Sequence, residues 1–230
     1  MDQFSAAQNQ PITLTSSAES QVYGLLALAM ALTVLGVYAG MQYTAVLMAS
    51  GMHIVLLIAE LGIIFTARLW MRSYPLNYIL FGIFPLLSGF TVTPYILYVL
   101  AGYANGGTIL LNAVSATVFM TAAVAVFART TSWNLSVMGR ALLLGLVGLI
   151  LLGVAQIFIP SLQSTQFEIL LSGAGIVFFA AFTAYDLQRI QNAARVGANP
   201  FLLALSLYLD IFNLFLYILR FMLAIAGERR

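Results

Sequence analysis

The chain has 230 residues, 62% of them hydrophobic and 7% charged, with a mean hydropathy of +1.01. Soluble domains are roughly 45–50% apolar, so this is the composition of an integral membrane protein, sized for a single bundle with no separate soluble domain. A net charge of +2 without a basic stripe excludes nucleic acid as a partner. The absence of cysteine excludes disulfides and thiolate metal sites, and the absence of lysine excludes a retinal Schiff base.

Residues 1–21 form a polar N-terminal segment with Asp2 and Glu19 but no basic residue, unlike a secretory signal. Residues 22–230 then read as one transmembrane domain. A spanning helix needs about 20 apolar residues, and seven runs meet that need: 22–42, 45–67, 78–101, 108–127, 141–159, 169–185 and 201–226. Turn residues punctuate them at Ser73-Tyr74-Pro75, Asn105-Gly106-Gly107, Pro160-Ser161 and Gly197 to Pro200. Short connections force consecutive helices to run antiparallel. The expected fold is an all-α bundle of seven transmembrane helices.

The loop charges orient that bundle. Arg68 and Arg72 flank the second connection, Arg129 and Arg140 the fourth, Arg189 and Arg195 the sixth, and the odd-numbered connections carry no arginine. The positive-inside rule therefore puts the N-terminus in the cytoplasm. Seven crossings would leave Arg229-Arg230 outside, against the rule, yet the last run is long enough for a full span.

Asp186 and Asp210 lie inside the last two runs. An ionisable residue within a span is costly and marks an ion or proton path by default. Ala198, within the turn-like stretch Val196 to Pro200, is midway between them. A hairpin bent there sets both carboxylates at one depth in the cytoplasmic half of the bundle, where they can share a proton or a cation. Glu60 stands at a similar distance before the bend at 72–75 and is a candidate third acid. Arg68 and Arg72, further along the same run, can reach inward to latch an aspartate or snorkel to the headgroups. Arg220 is read as an interfacial anchor or a partner for Glu168.

Other chemistry finds little support. His53 is the only histidine and HExxH is absent, so a zinc site lacks ligands. No serine–histidine motif or GxGD pattern accompanies the aspartates, and an enzyme is not expected. No cofactor is expected either. Pro85 and Pro94 in the third run can open carbonyls to a pore or simply be tolerated kinks.

The segment Tyr185-Asp186-Leu187-Gln188 and the longer one Leu207-Tyr208-Leu209-Asp210-Ile211-Phe212-Asn213-Leu214-Phe215-Leu216-Tyr217-Ile218-Leu219-Arg220 resemble the signatures of the Bax inhibitor-1, or transmembrane Bax inhibitor motif, family. Weaker similarity covers Gln21-Val22-Tyr23, Glu60, and Phe84 to Thr91 with Pro94. The resemblance implies a seven-helix bundle with the C-terminal helix central. It also implies a pH-sensitive calcium leak channel in which Asp186 and Asp210 are the sensor and the possible calcium contact. An arginine at the end of the second helix would be the latch: Arg72 by local pattern, or Arg68 one turn away. Without a lysine-rich tail the chain looks bacterial, a multi-pass protein of the cytoplasmic membrane. Expected partners are the lipid bilayer and calcium ions, with the chain a monomer. The rival reading is a regulatory binding partner of a membrane protease or other membrane complex, using residues 1–20 as its contact arm.

Overall fold

The structure is a computed structural model that describes residues 15–44, 51–193 and 198–227. These residues form helices and turns, with no strand among them. The helices are α1 (Thr15–Gln42), α2 (Met52–Phe65), α3 (Ala67–Trp70), α4 (Leu76–Gly102), α5 (Gly106–Thr130), α6 (Gly139–Phe158), α7 (Thr165–Ala193) and α8 (Pro200–Ala226). Short 3-10 turns at Leu135–Met138 and Pro160–Gln163 flank α6. Among the described residues, six helices are long and apolar enough to cross a membrane: α1, α4, α5, α6 with its preceding turn, α7 and α8. The chain is a multi-pass membrane protein.

The second apolar run departs from the expected single long helix. Its described part is α2, with 14 residues, followed by the four-residue α3. At 1.5 Å per residue α2 spans only about 21 Å, short of the ~30 Å hydrocarbon core. Two local features explain the breaks. Gly51 takes the left-handed conformation (φ 63°) just before α2, open to glycine because it has no Cβ. At the other end Thr66 turns its hydroxyl back onto the Gly62 carbonyl at 2.6 Å, a bond that bends or interrupts a helix. Residues 45–50, the start of the expected run, lie outside the described residues.

The other boundaries follow the turn chemistry. Asn199 caps α8, its Oδ1 accepting from the amides of Phe201 and Leu202, with Pro200 in the first turn. Pro85 and Pro94 both sit within the continuous helix α4. Nearby hydroxyls of Ser88, Thr91 and Thr93 bond back to carbonyls one turn earlier. The polar segment that precedes the first run is partly helical, since α1 begins at Thr15.

Packing is closest between α1 and α4 and between α7 and α8. Gly36 and Gly89 face each other where α1 crosses α4, and a Cβ on either would collide with the opposite backbone. Small residues allow such close approach where no hydrophobic force drives helices together in lipid. Half of the most apolar stretch of α8 is buried, the largest share of the six spans. It packs against α1, α5 and α7, and touches α4. Two core clusters form along it: one around Phe81, Phe84, Leu207 and Tyr208, the other around Val99, Ala113, Leu214 and Leu219. Asp210 lies on α8 among residues of the first cluster, between Leu209 and Ile211.

Candidate functional site: a buried aspartate pair

Asp186 and Asp210 meet across the interface of α7 and α8, with only 2% and 6% of their surfaces exposed. Helical periodicity builds the cluster. Asp186 and Arg189 share a face of α7 at i and i+3, and Ser206 and Asp210 share a face of α8 at i and i+4. Arg189 donates to Oδ1 of Asp186 at 3.4 Å, a loose pair whose guanidinium is 39% exposed while the carboxylate is 3% exposed. The Asp186 carboxyl also interacts with the Ser206 hydroxyl and the Asp210 carboxyl. Arg189 acts on Asp210 as well.

Two buried oxygens, Oδ2 of Asp186 and Oδ2 of Asp210, have no hydrogen-bond partner among the described residues. Buried polar atoms are nearly always satisfied, which sets these two oxygens apart from the other side-chain carboxylates that have hydrogen-bond partners, such as Glu60 and Glu168. Carboxylates in contact titrate as a pair, not as separate sites. The donor set also sets the kind of cation that fits. Calcium takes six to eight oxygens, and the described residues hold no cluster of three or more His, Cys, Asp or Glu. Two carboxylates and one hydroxyl are fewer oxygens than a closed calcium cage requires.

The remaining residues expected at the site lie elsewhere. Glu60 accepts a hydrogen bond from Thr91 of α4 at 2.8 Å and acts on neither aspartate. Arg68 and Arg72 are exposed and form no ion pair among the described residues. The arginine that pairs with an aspartate of this site is Arg189. Met71, beside Arg72, does reach the hairpin: its carbonyl accepts from Nδ2 of Asn199 at 2.7 Å. His53 lies in α2, and Arg195, Arg229 and Arg230 fall outside the described residues.

Sequence reasoning missed Arg189 and Ser206 as members of the cluster, although their one-turn spacing from each aspartate was the available signal. It also missed Gln188, whose amide accepts from the Leu135 amide at 2.7 Å and donates to the Trp133 carbonyl at 2.8 Å. That side chain pins the connection between α5 and α6 onto α7. Arg220 pairs with Glu168 as one of its two readings had it, through bonds of 2.7 and 2.9 Å, and adds 3.1 Å to Gln156. This cluster borders a cavity of about 840 Å³ also lined by Tyr95, Tyr98 and Tyr103, at the opposite end of α8 from its Asn199 cap.

Comparison with known proteins converges on one group. The family model described as "Inhibitor of apoptosis-promoting Bax1" matches residues 15–227. An uncharacterized protein of Campylobacter jejuni is 31% identical over 201 residues, 86% of this chain and 84% of the relative. The inner membrane protein YbhL of Escherichia coli is 28% identical over 248 aligned positions that cover all of both chains. An uncharacterized protein of Borreliella burgdorferi is 25% identical, over 97% of each.

Proposed function

The chain belongs to the Bax inhibitor family, and on that premise we propose that it is a calcium leak channel gated by protonation of the Asp186–Asp210 pair. The observation that carries the reading is the pair itself: two buried carboxylates in contact, each with one unpartnered oxygen. Structural clips do not need two acids at one level. With both carboxylates ionised, their repulsion is offset by the Ser206 hydroxyl and by Arg189 at 3.4 Å. A proton placed between them converts repulsion into a hydrogen bond and draws α7 and α8 together. Protonation thus biases a two-state helix contact, and calcium ions are the substrate that the open state passes. The large cavity beside Arg220 and Glu168 serves as the vestibule at the far end of α8.

The membrane in question is the bacterial cytoplasmic one, in keeping with the inner-membrane relative from Escherichia coli. The loop arginines orient it with the N-terminus inside. In this reading α2 and α3, with residues 45–50, make the seventh crossing around a central α8. Arg72 and Arg68 remain candidate latches, positioned near the hairpin through the Met71–Asn199 bond. The protein acts without cofactor or catalysis, as a monomer.

Reconstitution of the purified protein in liposomes loaded with a calcium-sensitive dye tests this. Wild type is expected to admit calcium, and Asp210→Ala to lose most of that flux. A wild type with no flux that instead retains a membrane protease or other membrane complex, and releases it on deletion of residues 1–20, would replace the channel with the regulator.

A further inference from the structure

A second cavity, of about 350 Å³, opens between α1 and α5. Both helices pack on α8 but share no extensive interface with each other, and the gap between them reaches down to α8. Phe212 and Phe215 of α8 form its floor, Val34 and Val37 of α1 one wall, Val114 and Val118 of α5 the other. We propose that this groove is a binding site for one acyl chain of a bilayer lipid, which inserts sideways and rests on α8.

Depth argues for that occupant. The lining residues lie near the midpoints of α1, α5 and α8, each long and apolar enough to cross the membrane. The groove therefore faces hydrocarbon, far from water and headgroups. Its rim is exposed: Val34 is 67% and Val118 63% accessible.

Chemistry argues for the chain and against any polar ligand. Thr33 and Thr117 are the polar residues in the lining, and both hydroxyls are already bonded. Thr33 donates to the Ala29 carbonyl at 2.9 Å and contacts the Tyr208 hydroxyl at 2.7 Å. Thr117 donates to the Ala113 carbonyl at 2.7 Å. No group is left to recognise a headgroup or a sterol hydroxyl. Water gains no hydrogen bond from so apolar a lining, and an unfilled groove forfeits dispersion contacts along it. A lipid tail is the species at hand that restores them.

The inference stands independently of the proposed transport. Its test uses Phe215→Trp in nanodiscs made from lipids brominated along the acyl chain, since bromine quenches tryptophan on contact. The native Trp70 and Trp133 give the baseline in wild type, and Phe119→Trp, at a site 81% exposed, gives the full lipid-facing response. Phe215→Trp is expected to be quenched nearly as much as Phe119→Trp, and adding Val34→Phe and Val118→Phe at the mouth should roughly halve that quenching. Phe212→Trp serves in place of Phe215→Trp if the latter does not fold. Quenching at the wild-type baseline in a folded floor variant would overturn the proposal. So would exclusion of bromolipid together with cross-linking of two copies through this face, which would assign the groove to a second chain.

Discussion

A carboxylate taken out of water inside a helical bundle needs a partner, and the two most buried carboxylates among the described residues share Arg189 and the Ser206 hydroxyl. Arg189 reaches Asp186 from the accessible side at 3.4 Å and leaves Oδ2 of both aspartates unpaired. If the pair senses pH as proposed, Arg189 is the nearest cation among the described residues that biases its protonation. Replacing it by glutamine removes the nearby positive charge that favours the ionised pair. The pH profile of calcium flux in Arg189→Gln is expected to move to higher pH by up to about one unit, while the maximum flux stays within a few-fold of wild type. An unshifted profile would remove Arg189 from the sensor. The same test applied to Arg72→Gln and Arg68→Gln asks whether the candidate latches act at a distance that the ion pairs do not record. The aspartates themselves were legible in the sequence because charge is so scarce in these helices. Ser206 and Arg189 were less so: each is an ordinary polar residue whose meaning comes only from its one-turn spacing to an acid on a packed face.

At the scale of elements, the aspartates meet where α7 packs along α8, whose first turn Asn199 caps. Asn199 does two tasks there: Oδ1 caps α8, and Nδ2 holds the Met71 carbonyl at 2.7 Å. Loss of an N-cap costs about 1 kcal/mol, and loss of the second hydrogen bond costs about 1 kcal/mol more. Asn199→Ala should therefore lower stability by roughly 2 kcal/mol, measured by thermal unfolding in detergent. Asn199→Asp keeps the cap acceptor but not the donor and should fall near half of that loss. Equal losses in the two variants would deny the bond to Met71. Residues 194–197, most of the turn expected before Pro200, lie outside the described residues, while the cap of α8 was readable from Asn199 and Pro200. The fate of the second apolar run was not. Its composition is apolar throughout, and only the backbone choices of Gly51 and Thr66 reveal that helix is interrupted within it.

Across the whole molecule, polar chemistry is segregated along α8. The aspartate pair occupies the stretch nearer the Asn199 cap, the Gln156–Glu168–Arg220 cluster borders the large cavity at the other end, and the acyl groove opens laterally between them. Hydrophobic content and run length made the membrane bundle plain from the sequence, because a span must be apolar along its whole length. Which helix is most buried was not written in apolar content, since all the long helices are comparably hydrophobic; it emerges from packing, in which α8 contacts α1, α5 and α7. In the proposed function, protonation of one pair controls passage of calcium through this bundle. The most direct test is calcium flux into liposomes across pH 6 to 8 for wild type, Asp186→Asn, Asp210→Asn and the double variant. A carboxamide cannot titrate, so the account predicts a pH-dependent flux in wild type and a flat profile in the double variant. A double variant that keeps the wild-type pH dependence would contradict it.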